Sequence, residues 1–131
     1  DTRIAGTAVA GAFTPLRNAT GHVEGVKTYS HLHGLLPRLG FFEGSESRIP
    51  VDFPEILSAI APRPLMVMTP ELDRHADIEN VEQSIDQAES IYELLDASTA
   101  IQFSSPNGFT GFSSSQQDLM VDWLDEISSE S

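Results

Sequence analysis

The stretch PRPLMVMTPELDRHADIENVEQSIDQAESIYELL, at residues 62–95, contains the strongest structural signals of the chain. Its apolar run LMVMT (65–69) is typical of a buried β-strand and stops at a proline. Over residues 77–95 the apolar side chains fall on one face of a helix, so the stretch predicts a strand followed by a long helix. The turn between them carries Asp73, two residues before His75. An aspartate just past the end of a buried strand is the first candidate for a functional residue.

Strands and helices alternate along the rest of the chain as well. Further strands are predicted in RIAGTAVAGAF (3–13) and STAIQFS (98–104), and further helices in VDFPEILSAIA (51–61) and SQQDLMVDWLDEIS (115–128). Such alternation predicts a parallel sheet with right-handed crossovers, and thus a three-layer α/β fold: a short parallel sheet of about three strands with flanking helices. Because most sheets have more strands, this one is expected to be part of a larger sheet.

Residues 14–50 form an irregular insert after the first strand. Within it, Ser30 is a capable N-cap for a short helix over 30–42, which glycine and proline residues are expected to break. At the end of the insert, Asp52 is predicted to cap the helix that follows. Neither a repeat nor a linker divides the chain, so we expect a single domain over residues 1–131.

The composition limits the classes of partner. With 20 acidic and 7 basic residues the formal net charge is −13, which argues against binding to nucleic acid or to an anionic membrane. The absence of cysteine excludes disulfides and thiolate metal sites. No apolar run approaches the roughly 20 residues that span a bilayer, and no signal peptide is visible, so we expect a soluble, cytoplasmic protein. Because the chain begins at Asp1 rather than methionine, the biological chain is expected to be longer.

Three segments together resemble a known family. They are RIAGTAVAGAFTPLR (3–17), YSHLHGLLPRLGFFEGSESRIPVDFPEILSAIAPRPLMVMTPELDRHAD (29–77) and MVDWL (120–124), of which IAPRPLMVMTPELDRHAD (60–77) is the most specific. They resemble the C-terminal third of α/β-hydrolases, and most closely the branch that contains dienelactone hydrolases and acetyl xylan esterases. The resemblance implies a partial α/β-hydrolase fold, in which residues 14–50 form a lid-like insert.

The resemblance assigns a role to Asp73. Its position after the penultimate strand matches the acid of a Ser–Asp–His triad, which orients the histidine and stabilises the imidazolium that forms during catalysis. A structural alternative is that Asp73 and Asp77 only begin the following helix, where the helix dipole favours carboxylates. The sequence leaves both interpretations open.

The other two members of the triad are missing. No G-x-S-x-G motif occurs, so the nucleophile elbow of this fold is absent. The triad histidine is expected after the last strand, within SSPNGFTGFSSS (104–115), and that segment contains none. The last histidine of the chain is His75. The resemblance therefore supplies a candidate acid without its serine and its base.

The remaining histidines are expected to have other roles. His75 is interpreted as an exposed loop residue, and His31 and His33 as lid or packing residues, since side chains two apart on a helix point in different directions. His31 and His33 with Asp52 or Glu43 are the one conceivable set of metal ligands, but they lack any known ligand spacing. We therefore expect neither a metal nor another cofactor, and no phosphate-binding motif is present.

Three hypotheses for function remain. The first is a partial α/β-hydrolase-like, esterase-type domain, inactive alone, which would act on a small-molecule ester only if a missing N-terminal hydrolase segment completed it. The second is a standalone, non-catalytic binding or assembly module, a homodimer with RIAGTAVAGAF (3–13) or the apolar face behind it at the interface. The third is a flavodoxin-like or receiver-like binding domain. A receiver domain would have acidic residues at the end of its first strand, and VAGAFTP (9–15) has none.

Overall fold

The computed structural model describes residues 3–11, 13–18, 25–32 and 34–129. The order of elements agrees with the alternation that the sequence predicts. The regular elements are β1 (Thr7–Ala10), α1 (Phe53–Ser58), β2 (Leu65–Met68), α2 (Ile78–Leu94), β3 (Ile101–Ser104) and α3 (Ser114–Ser129). Short helical turns of other types lie at Thr28–Leu32, Pro37–Phe42, Glu46–Arg48 and Ser98–Ala100.

The three strands form one parallel sheet in the order β1-β2-β3, so β2 is central. Val9, Val67 and Phe103 lie in one row across the sheet. All four residues of β2 are buried, as expected for a strand that has helices on both faces. The prediction of a short parallel sheet with flanking helices is therefore confirmed. Two strands are shorter than predicted. Pairing with the four-residue β2 limits β1 to four residues of the predicted 3–13. β3 begins at Ile101 rather than at residue 98, because a short helical turn occupies Ser98–Ala100.

One face of the sheet packs against α1 and α2. Leu65 and Val67 of β2 point toward this side and belong to the largest apolar cluster of the described residues. The helices contribute mainly aliphatic side chains, and Tyr92 of α2 is fully buried among them. Its hydroxyl donates to the carbonyl oxygen of Arg63 at 2.7 Å, and burial raises the pKa of Tyr92 to about 12. The phenol therefore stays protonated and anchors α2 to the start of β2.

The opposite face packs against α3. Met66 and Met68 alternate with the residues of the first face, since successive side chains of a strand point to opposite sides. They pack with Trp123 of α3, which is buried, and Ile127 lies against the same cluster. Helices on both faces of one sheet make the three layers of the predicted α/β fold.

The insert has its own small core, formed by Leu16, Val26 and Ile49. The prediction that Ser30 caps a helix is wrong. Ser30 lies inside the turn Thr28–Leu32, and its hydroxyl donates to the carbonyl oxygen of Val26 at 2.6 Å. The turn begins before Ser30 because Thr28 and Tyr29 already donate backbone hydrogen bonds to Gly25.

Within the described ranges, no helix combines the length and the apolar character needed to cross a membrane.

Asp52 fixes the insert to α1. Its buried carboxylate accepts hydrogen bonds from the backbone amides of Leu16 (2.9 Å) and Arg17 (2.8 Å), on the far side of the insert. It also accepts from the amide of Phe53 and forms a capping box with Glu55. The predicted helix cap is therefore confirmed, and the same side chain holds the two ends of the insert together.

Candidate functional site

The loops after β2 and β3 run side by side at the carboxyl edge of the sheet. The amide of Glu71 donates to the carbonyl oxygen of Pro106 at 3.1 Å, and that of Leu72 donates to Gly108 at 3.0 Å. A bridge between Leu72 and Phe109 continues the parallel pairing beyond the strands. Residues 104–115, where the resemblance places the triad histidine, therefore lie directly beside Asp73.

Asp73 is buried in this pair of loops, with 8% of its surface exposed. Its Oδ1 accepts two hydrogen bonds, from the amide of His75 at 2.8 Å and from the hydroxyl of Thr110 at 2.9 Å. Its Oδ2 is also buried, and among the residues that the structure describes it has no hydrogen-bond partner. One oxygen of the carboxylate is thus fixed, while the other lacks a donor, which is costly for a buried polar atom.

Thr110 joins the two loops through its side chain. The hydroxyl donates to Asp73 Oδ1 and accepts from the amide of Arg74 at 3.0 Å, so it acts as donor to one residue and as acceptor from the next. This residue is not among those that the sequence singles out. A lone threonine in a glycine-rich loop indicates no particular role. The one feature of the sequence that could have pointed to Thr110 is its place in the segment where the triad histidine is expected.

The structure separates the two aspartates that the sequence left equivalent. Asp77 is the N-cap of α2, and its carboxylate accepts from the amide of Asn80 at 3.4 Å. Asp73 lies four residues earlier, and its carboxylate bonds to the adjoining loops instead. The helix-start interpretation therefore holds for Asp77 and does not account for Asp73.

The described histidines make other contacts. His75 is half-buried rather than exposed, and its Nε2 accepts from Nε of Arg74 at 2.8 Å. His31 is exposed, and its Nδ1 lies 2.7 Å from the hydroxyl of Ser30 in the insert. His33, named above with His31, lies outside the described residues.

The conceivable metal ligands are engaged in other interactions. The carboxylate of Asp52 binds backbone amides, as described above. Glu43 Oε1 lies 2.7 Å from Nζ of Lys27, and this hydrogen-bonded pair raises the pKa of Lys27. Across residues 3–11, 13–18, 25–32 and 34–129, no three histidine or acidic side chains come close enough together to hold a metal ion.

Exposed aromatic side chains lie in the loop after β3, which pairs with the loop that carries Asp73. Phe109 and Phe112 line a cavity of about 420 Å³ formed by residues 106–116, and Leu72 is exposed next to Phe109. The hydroxyl of Ser105, at the start of this loop, is a second buried polar atom without a partner within the described part of the chain. The carboxyl edge thus combines a buried acid with apolar side chains that face solvent.

Replacing Asp73 with asparagine is expected to leave the free energy of unfolding unchanged or to raise it by up to about 1 kcal/mol. Asparagine keeps an oxygen for the amide of His75 and the hydroxyl of Thr110, and it removes a buried charge that lacks a second donor. Urea unfolding of the wild type and Asp73→Asn, followed by the fluorescence of Trp123, measures the difference.

Asp77→Asn is the matched control and should be nearly neutral, because asparagine and aspartate are equally good N-caps. A loss of more than about 1.5 kcal/mol in Asp73→Asn alone would show instead that the charge of Asp73 is needed for stability.

No protein-family model matches the chain, and no curated protein matches it either. Among solved structures, the chain is similar to a carbohydrate esterase family 15 (CE15) glucuronoyl esterase from Caldicellulosiruptor kristjansonii, with a TM-score of 0.74 and 17% sequence identity. The similarity covers 97% of this chain and 38% of that chain. At this identity it shows the fold alone: a three-stranded parallel sheet with flanking helices that corresponds to part of the fold of that esterase.

Proposed function

We propose that this chain is the acid-bearing part of an esterase-type α/β-hydrolase-like domain and is inactive by itself. The observation that carries the proposal is the carboxylate of Asp73, buried beyond the end of β2. Two donors fix its Oδ1, and none of the described residues donates to its Oδ2. A triad acid needs this arrangement, because one oxygen must hold its orientation while the other receives an imidazole N–H.

In this proposal Asp73 acts only through a histidine. It would accept the N–H of an imidazole, fix the tautomer and stabilise the imidazolium that forms when the base takes a proton from serine. The described loop opposite Asp73 presents Thr110, whose hydroxyl is not a base at neutral pH. Since the serine and the histidine of a triad act as a unit, Asp73 without them supplies no hydrolysis.

The proposed substrate class is a small-molecule ester. The support is the fold shared with part of a glucuronoyl esterase and the sequence resemblance to dienelactone hydrolases and acetyl xylan esterases. Fold alone does not select among carbohydrate esters, lactones and simple acyl esters. The exposed Phe109 and Phe112 beside Asp73 would form an apolar wall for the substrate.

In this proposal a completing segment binds at the outer edge of β1. The amides of Thr7 and Gly11 donate to the carbonyl oxygens of Pro64 and Met68 of the β2 side, at 2.9 and 3.0 Å. Because bonding directions alternate along a strand, the backbone groups of Ala8 and Ala10 point away from the sheet. The residues of β1 itself (Thr7–Ala10) include no charged residue or proline, so its outer edge is suited to pair with another strand.

The same edge favours a second candidate function, a non-catalytic module that forms homodimers through β1. This alternative needs no completing segment, since a second copy would cover the edge. The two candidates differ in chemistry: only the first requires that Asp73 face a histidine.

We expect the purified chain to hydrolyse p-nitrophenyl acetate no faster than buffer does, because the described residues supply an acid without a positioned base or nucleophile. The release of nitrophenolate by the wild type and Asp73→Asn is followed side by side, and the two rates should be equal. Turnover above the buffer rate that Asp73→Asn abolishes would contradict the proposed inactivity of the isolated chain.

A further inference from the structure

The insert carries an apolar groove that the proposed hydrolase function does not use. It has a volume of about 570 Å³ and is lined by Leu35, Leu36, Pro37, Arg38, Leu39, Phe42, Ile49, Pro50 and Val51. Ile49 is buried and Leu39 and Phe42 pack beside it, so the floor of the groove belongs to the core of the insert. The groove is therefore backed by packed side chains.

The rim of the groove exposes large apolar side chains. Leu35, Leu36 and Val51 are 67%, 55% and 58% exposed, and the neighbouring Phe41 is 86% exposed. Phe41 follows Arg38 by three residues in the turn Pro37–Phe42, and in a 3₁₀ helix such side chains lie one above the other. Phe41 thus projects beside the groove, so that a protruding aromatic ring and an apolar depression share one surface.

The charges of the chain indicate which partner this surface suits. Two copies that each carry a net charge of −13 repel one another over most of their surfaces. The nine residues that line the groove include no acidic side chain, and Arg38 is the charged residue among them. The lining of the groove therefore brings no carboxylate into a contact between two acidic copies.

We propose that the groove binds a second copy of the chain, with Phe41 of each copy entering the groove of the other. A two-fold dimer requires one surface that is complementary to itself, and a projecting ring beside a depression meets that requirement. An aromatic side chain contributes on the order of 150–250 Å² to a contact, and a stable interface needs roughly 600 Å² or more from each partner. Phe41 with the three exposed aliphatic residues supplies a large part of that area.

The dimer proposed here uses a different surface from the edge of β1, and it does not depend on any catalytic role of Asp73. It leaves that edge free for a completing segment. If the groove does not form a dimer, the proposed hydrolase function is unaffected. If the proposed hydrolase function is wrong, the groove dimer is likewise unaffected.

The test is the mass of the full chain by sedimentation equilibrium over a range of concentrations, in about 0.1 M and about 1 M NaCl. The wild type should dimerise, and more tightly in high salt, because screening reduces the repulsion between the acidic copies. Phe41→Asp and Leu36→Asp should each raise the dissociation constant by about 30-fold or more, the factor that corresponds to loss of a hot spot. Both side chains are exposed, so neither variant disturbs the core.

Two control variants locate the interface. Leu94→Asp places the same charge at an exposed leucine of α2, and Ala10→Lys blocks the free edge of β1. Both should dimerise like the wild type. A monomer at every concentration and salt level would overturn the proposal. A dimer that Ala10→Lys or Leu94→Asp weakens as much as Phe41→Asp does would also overturn it, since the contact would then lie elsewhere.

Discussion

Replacing Asp52 with alanine is expected to lower the free energy of unfolding by about 3–4 kcal/mol, a severe effect for one side chain. Asp52 is 1% exposed, and each of its carboxylate oxygens accepts backbone hydrogen bonds. The amides of Leu16, Arg17 and Phe53 would all lose their acceptor. A buried amide without a partner costs on the order of 1–3 kcal/mol, and the loss of an N-cap about 1 kcal/mol.

The loss of stability in Asp52→Ala should extend beyond α1 into the insert, because Asp52 and the residues next to it connect the two ends of the insert. Arg17 donates from Nη1 to Glu55 Oε1 at 2.6 Å and from Nε to the carbonyl oxygen of Ile49 at 2.8 Å. The guanidinium lowers the pKa of Glu55, so this contact persists to mildly acidic pH and is lost as the pH falls through the lowered pKa. We therefore expect amides of the insert to exchange with solvent faster in Asp52→Ala.

Urea unfolding monitored by circular dichroism checks the effect of Asp52→Ala, with Asp77→Ala as the control. Asp77 is also an N-cap, but it is exposed and accepts a single bond of 3.4 Å from Asn80, so its loss should cost about 1 kcal/mol or less. Equal losses in the two variants would show that the bonds between Asp52 and the insert add nothing to stability.

Local signals predicted much of this structure. The strand at 65–69 and the helix at 77–95 appear as β2 and α2 within one residue, because an apolar run and a helical repeat are each decided by nearby residues. The cap Asp52 and the place of Asp77 at the start of α2 were predictable for the same reason, since both depend on residues within one turn of the helix start.

Contacts between distant parts of the chain were not predictable in this way. Thr110 meets Asp73 across 37 positions, and Asp52 meets Leu16 across 36. Both depend on how segments that are far apart in sequence pack together, which no local pattern encodes. The N-cap predicted at Ser30 failed for a related reason: the packing of Val26 on Leu16 and Ile49 favours a turn that begins earlier. The place of Asp73 after β2 was predictable from the sequence, whereas its hydrogen bonds to His75 and Thr110 are seen only in the structure.

Installing a histidine at position 110 tests whether Asp73 faces the loop of the triad base. The Thr110 hydroxyl lies 2.9 Å from Asp73 Oδ1, and the side chain of this residue is otherwise exposed. Thr110→His therefore brings an imidazole next to the carboxylate. A neighbouring carboxylate favours the imidazolium, so the imidazole pKa should lie about 1–3 pH units above its usual value of about 6.5.

The raised pKa of the new imidazole has a consequence for stability. The pKa of this imidazole is higher in the folded state than in the unfolded chain. Its contribution to stability is therefore complete below about pH 6.5, and it is lost as the pH rises through the raised pKa of the folded state. A pKa that is higher by one pH unit in the folded state corresponds to about 1.4 kcal/mol. The stability of Thr110→His relative to the wild type should therefore fall between neutral and alkaline pH.

The most direct test of the role of Asp73 is the NMR titration of the new imidazole in Thr110→His and in the double variant Thr110→His/Asp73→Asn. Asn107→His serves as a control, because this exposed residue lies in the same loop. We predict a pKa at least about one pH unit above that of the Asn107→His imidazole, and loss of this difference in the double variant. If the imidazole at position 110 titrates like that of Asn107→His, with or without Asp73, the placement of Asp73 as the acid of a hydrolase triad is contradicted.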